Sequence, residues 1–297
     1  MKNPYFGRLL TAMVTPFNAD GSVNYKAAAD LAEWQMNHGS DGLVVCGSTG
    51  EAATMTSEER LELFRTVVNR INKRIPIIAG TGTNCTATTI ENTRLAAETG
   101  VDGVLLVGPC YNKPTQEGYY QHFAAVARTT SLPIILYNVP GRTAGNILPE
   151  TIARLAKDFK NIVAIKEAGG NVSQVAELYR VLPADFSIYS GDDGLILPFM
   201  SVGATGLISV LSNINGKMLQ DIMQAYSDGK VQEAAYLNSR MLPVARSLFV
   251  ETNPIPVKAA VTMVTGINAG DPRLPLTPLS PAAKEKMTAV LQDAHLI

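Results

Sequence analysis

The sequence predicts a closed (β/α)8 barrel, the TIM-barrel architecture, with a C-terminal helical extension. Three observations lead there: eight short apolar runs of the buried-strand kind, helical periodicity between them, and a glycine joint that recurs where helix should give way to strand. The runs are Leu9 to Val14, Leu43 to Cys46, Ile77 to Gly80, Val104 to Val107, Ile134 to Tyr137, Ile162 to Lys166, Ser187 to Ser190 and Leu207 to Val210. The joint appears as Gly39-Ser-Asp-Gly42, Gly100-Val-Asp-Gly103 and Gly203-Ala-Thr-Gly206. In each, the first glycine can end a helix in the left-handed conformation and the second opens the next strand.

Helical stripes fall between the runs: Ala28, Leu31, Ala32 and Met36; Leu61, Phe64, Val68 and Ile71; Val172, Val175, Ala176 and Tyr179. Thr56-Ser-Glu-Glu59 forms a capping box ahead of the second stripe. No Gly-x-Gly-x-x-Gly follows the first strand, which argues against an open dinucleotide-binding sheet. After the eighth run, helical segments near 216–227, 231–250, 255–265 and 281–295 exceed what closing a barrel needs. The expected division is a catalytic barrel over residues 1–226 and a helical region over 227–297.

Composition narrows the function. The 297 residues carry 25 Lys plus Arg against 26 Asp plus Glu with no basic run, so a nucleic-acid partner is not expected. No apolar run approaches the roughly 20 residues that span a bilayer, and the start lacks a signal-like core, so a cytoplasmic protein without a membrane partner is expected. Cys46, Cys85 and Cys110 show no Cys-x-x-Cys spacing and read as reduced packing residues. His38, His122 and His295 are scattered, which gives no metal site. His38 reads as a helix C-terminal residue and His122 as a helix residue.

In such a barrel the chemistry sits at the carboxyl ends of the strands. Lys166 ends an apolar run, where burial would lower the pKa of its amine and free the lone pair for attack on a carbonyl. Alternation puts Ala164 and Ile162 on its face, and Val163, Ile165 and Glu167 on the other. Read alone, it can as well be the commoner case of a lysine whose ammonium snorkels into water. Gly47-Ser-Thr-Gly50 offers hydroxyls and backbone N–H groups suited to a carboxylate, or simply a capped turn. Tyr137 can move protons or be a buried phenol; Arg142 can grip a carboxylate or lie in solvent. The loops after the seventh and eighth strands hold Asp192 and Asp193 but no Lys or Arg, which disfavours a phosphate-bearing substrate.

Taken together, Gly47-Ser-Thr-Gly-Glu51, Tyr137-Asn-Val-Pro-Gly-Arg-Thr143, the strand ending in Lys166, Ser190-Gly-Asp-Asp193 and Asn253-Pro-Ile-Pro-Val-Lys258 resemble the dihydrodipicolinate synthase family, pyruvate-dependent class I aldolases that include N-acetylneuraminate lyase. The resemblance runs over nearly the whole chain. It implies a Schiff base between Lys166 and pyruvate, a proton relay of Tyr137, Ser48 and Tyr111, and a pyruvate pocket of Thr49, Gly191 and Ile208. It also implies L-aspartate 4-semialdehyde as the second substrate, held by Arg142, and no cofactor. The product would be 4-hydroxy-tetrahydrodipicolinate, for diaminopimelate and lysine biosynthesis. The tyrosine at the Tyr111 position reaches in from a neighbouring subunit in this family, implying a homotetramer built as a dimer of dimers. Arg142 favours the synthases over the alternative, a sialate lyase or 2-keto-3-deoxy acid aldolase using the same imine. Ser48 stands where the synthases usually carry threonine. Cys110 replaces a tyrosine of the family's lysine-inhibitor site, although Asn84 of that site is present, so weak or absent inhibition by lysine is expected.

Overall fold

A computed structural model describes residues 4–297. Eight parallel strands close on themselves in sequence order. They are β1 (Leu9–Ala12), β2 (Gly42–Val45), β3 (Ile77–Gly80), β4 (Gly103–Val107), β5 (Ile134–Asn138), β6 (Ile162–Glu167), β7 (Ser187–Ser190) and β8 (Gly206–Ser209). The ladder between β1 and β8, Leu9 with Leu207 through Thr11 with Ser209, completes the circle. Gly39, Gly100 and Gly203 adopt φ of +105°, +86° and +106°, and Gly42, Gly103 and Gly206 open β2, β4 and β8. The glycine joint therefore works as its sequence implies.

The apolar residues divide into two layers. A small inner cluster fills the barrel with Leu10, Val44, Ile78, Leu105, Ile135, Tyr137, Ala164, Tyr189 and Ile208. A larger cluster lies between strands and helices and runs without a break into the C-terminal helices through Val257, Met287 and Leu291. The face assigned to Ile162 needs correction. Ile134 pairs with Ile162 but Ile135 with Ala164, so Val163 is an extra residue in β6 and the alternation breaks there. Ile162 consequently packs in the outer cluster, whereas Ala164 packs inside and Val163 leans against the inner layer.

The helices carry further corrections. Helix 57–71 has its complete capping box but buries Leu63, Phe64, Val67 and Ile71, so its stripe is rotated from the expected one. Helix 172–181 buries Val175 and Leu178, leaving Tyr179 outside over Gly203. His38 caps the C-terminus of helix 25–37 and His122 lies within helix 116–127. Among the cysteines only Cys46 is buried; Cys85 and Cys110 are exposed and pack against no core. No helix among the described residues is long and apolar enough to cross a membrane.

Beyond the barrel, helices Val231–Ser247, Ile255–Thr265 and Pro281–Asp293 follow a helix that starts at Ser212 and is interrupted at Asn215. The segment after 250 is fastened to the loop following β2 by a buried ion pair, Lys258 Nζ to Glu51 Oε1 at 2.8 Å, with both side chains almost wholly enclosed. Glu51 adopts φ of +55° and also accepts a hydrogen bond from the Arg273 amide at 2.9 Å. Lys258 lies 4.0 Å over the Phe17 ring, and burial lowers its pKa, with Glu51 acting in the opposite direction. Removing one charge of such a pair strands the other in a dry site. Lys258→Met should lower unfolding stability by about 3–5 kcal/mol, and the Glu51→Gln/Lys258→Met double variant should recover most of that loss in denaturant melts.

Candidate active site

A cavity of about 720 Å³ opens at the carboxyl ends of the strands, walled by Ser48, Thr49, Tyr137, Arg142, Lys166 and Gly191. Tyr137 and Lys166 are register partners on β5 and β6, and Lys166 is the partner of Tyr189 on β7, so these side chains share the interior face. The Lys166 Nζ sits 4.6 Å from the centre of the Tyr137 ring. Lys166 is only 6% exposed and makes no ion pair among the described residues. Burial pulls its pKa down to about 8; the Asp193 carboxylate raises it and the Arg142 guanidinium lowers it. Glu167 is no partner for it: on the outer face, its carboxylate accepts from Asn138, Gln174 and the Gly169 amide.

Space for the lysine comes from glycine. A Cβ at Gly191 would lie 2.6 Å from the Ala168 Cβ and 3.0 Å from the Lys166 Cε. Tyr137 is buried, and desolvation raises its pKa while Arg142 and the Ser48 hydroxyl pull it back. The loop after β2 turns tightly, with the Gly50 amide on the Gly47 carbonyl at 3.1 Å and the Glu51 amide on the Ser48 carbonyl at 3.2 Å. Gly80 permits this course, since a Cβ there would strike the Cys46 carbonyl oxygen at 2.1 Å. Ser48 presents its hydroxyl to the cavity, and Thr49 is buried beside it. Arg142 projects from the short helix 140–143 and donates from Nη2 to the Asn253 carbonyl at 3.2 Å.

Two expected site residues lie elsewhere. Ile208 is fully buried in the inner layer with Leu10, its register partner on β1, and does not wall the cavity; Val210, beyond the end of β8, takes that side of the wall. Tyr111 is 91% exposed, held at φ of +70° in the loop after β4, and stands away from the cavity wall. Asp193, Asn253 and Arg246 are among the wall residues that were not expected as site residues. Asp193 is buried, its Oδ2 held by the Val210 and Leu211 amides at 3.1 and 3.0 Å and its Oδ1 without a partner among the described residues. Asn253 and Arg246 come from the C-terminal helical region. Asp193 was visible as a strand-exit residue; Asn253 carried no chemical signal of its own.

The comparisons with known proteins settle the family. The chain matches the dihydrodipicolinate synthetase family over residues 5–294. It belongs to that family. The 4-hydroxy-tetrahydrodipicolinate synthase of Desulforudis audaxviator is 50% identical over 98% of this chain and 99% of its own. The lysine-bound synthase structure from Cyanidioschyzon merolae superposes with a TM-score of 0.97 at 42% identity, covering 99% of this chain and 100% of that one. The pyruvate complex from Acinetobacter baumannii does so with a TM-score of 0.94 at 42% identity, covering 98% and 100%.

The charges around Lys166 give opposite expectations for two variants. Asp193→Asn removes a carboxylate that favours the ammonium, so the amine should lose its proton at lower pH; Arg142→Met removes a cation and should move the midpoint up. The rate at which pyruvate becomes reductively trapped, followed from pH 6 to 10, should rise through a midpoint near 8 in the unaltered protein and shift in these two directions.

Proposed function

We propose that this chain is a 4-hydroxy-tetrahydrodipicolinate synthase that condenses pyruvate with L-aspartate 4-semialdehyde through an imine on Lys166. The observation that carries the reading is an amine buried without a counter-ion contact, poised near pH 8, in a cavity that also holds a phenol, a hydroxyl-lined turn and a guanidinium. A carboxylate on Thr49 and the turn amides brings the keto carbon of pyruvate to Lys166.

The neutral amine attacks that carbon, and the carbinolamine loses water to give an iminium. Tyr137, with Ser48 beside it, serves as the group that passes protons to and from the carbinolamine oxygen. Loss of a methyl proton gives an enamine, whose carbon attacks the aldehyde of the second substrate. Arg142, at the mouth, holds that substrate's carboxylate. The amino group of the second substrate then closes on the former keto carbon and releases Lys166. One water is lost in all, and no redox partner is required.

Tyr111 completes the relay only if a second copy receives it: its phenol is solvent-exposed and outside its own cavity, as a residue lent across an interface would be. A homotetramer follows from the family resemblance; a cytoplasmic setting with neither membrane nor nucleic acid as partner rests on the balanced charge without a basic run and the lack of a spanning apolar stretch. Gly191 is assigned to making room for the imine, and Ile208 to supporting the pocket from beneath.

Borohydride added with saturating pyruvate should leave a reduced adduct on Lys166, read by peptide mass mapping; an unmodified lysine rejects the proposal. Arg142→Ala should raise the KM for the semialdehyde roughly 10- to 100-fold, more than that for pyruvate, as expected for losing a charged hydrogen-bond donor. A protein that cleaves 2-keto sugar acids faster than it condenses these substrates would place it with the lyases. Cys110, exposed where the lysine-sensitive relatives carry a phenol, leads us to expect little inhibition by lysine; half-maximal inhibition at low-millimolar lysine would contradict that.

A further inference from the structure

Asn253 touches both of the groups proposed to bind carboxylates. Its Nδ2 donates to the Thr49 Oγ1 at 2.9 Å, and its backbone carbonyl accepts from Arg142 Nη2 at 3.2 Å. The side chain is buried, walls the cavity, and leaves Oδ1 without a partner among the described residues. An amide nitrogen can only donate, whereas a hydroxyl has one proton and two lone pairs. A Thr49 oxygen that accepts from Asn253 therefore keeps its proton for another acceptor.

We propose that Asn253 is a positioning residue that orients the Thr49 hydroxyl as a donor toward the pyruvate carboxylate, while its backbone holds Arg142 for the second substrate. The inference rests on the pyruvate-binding role proposed above for Thr49 and goes beyond it by assigning the hydroxyl's direction to a residue 204 positions away in the chain. With the opposite amide orientation, Oδ1 would take the Thr49 proton and the hydroxyl would offer only lone pairs to a carboxylate. The two arrangements differ in what an isosteric acid does. The carboxylate introduced by Asn253→Asp would accept the Thr49 proton, which reverses the first arrangement and merely preserves the second.

The test is a mutant cycle read by the pyruvate concentration that half-saturates borohydride trapping at Lys166. Asn253→Asp should raise that concentration about tenfold, in line with losing a hydrogen bond to a charged group. In a Thr49→Val background the same change should add no more than about twofold, because the hydroxyl it acts through is gone. An unchanged value for Asn253→Asp, or an equal increase in both backgrounds as simple charge repulsion would give, overturns the inference. If Asn253→Asp does not fold by thermal melt, Asn253→Ala takes its place in the cycle, with a rise of about threefold expected in the Thr49 background only; equal effects again overturn it. Failure of the unaltered protein to trap pyruvate at Lys166 sinks the functional reading itself and this inference with it, whereas trapping without coupling sinks the inference alone.

Discussion

The architecture depends on keeping one amine dry. Lys166 sits near the end of a strand flanked in register by Tyr137 and Tyr189, and desolvation is the largest influence on its proton affinity. Everything near it is arranged so that no carboxylate neutralises it by contact. Glu167, adjacent in sequence, is turned to the outer face and fully occupied by amide donors. Asp193, the one carboxylate with a resolved influence on it, has an oxygen tied to two backbone amides at the end of β8 and acts through space. A contact ion pair there would hold the proton on the amine and remove its nucleophilicity at neutral pH.

The C-terminal extension belongs to the same arrangement. The loop after β2 carries both Ser48 and Thr49, and the extension adds to its anchorage through an ionic contact and a neutral one. Lys258 holds Glu51 at the loop's far end, and Asn253 holds Thr49 near its middle. Because Asn253 also receives Arg142 from the loop after β5, a single residue relates the two groups proposed to bind carboxylates. Fixing Thr49 and Arg142 on one support sets the distance between them without requiring either loop to be rigid alone.

What the sequence displayed was whatever obeys local rules. The three glycine joints and the apolar runs between them declare αβ units because left-handed caps and buried parallel strands leave direct compositional marks. Lys166 stood out for the same reason, as a charged residue closing a run that is otherwise wholly apolar. Ile162 was misplaced because a bulge at Val163 depends on the neighbouring strand's register and leaves no mark in β6 itself. Tyr179 was misplaced because a helix of ten residues gives two equally apolar stripes, and only the sheet beneath decides between them. Asn253 stood in the sequence only as the first residue of a family motif: its role exists only once the chain has returned across the barrel to meet Thr49 and Arg142.

A buried amine also has a thermodynamic consequence for the fold. In the unfolded chain Lys166 binds its proton with an affinity near 10.5, and in the folded protein near 8. A folded-state value below the unfolded one means that folding is opposed wherever this amine is protonated in the unfolded chain, because the folded site disfavours the charge. The opposition is full below pH 8, fades between 8 and 10.5, and amounts to about 3 kcal/mol when complete. That is a large fraction of the net stability of a typical domain. The apolar core as a whole must therefore offset an unfavourable site, and the layer that runs on into the C-terminal helices adds to the buried area that does so.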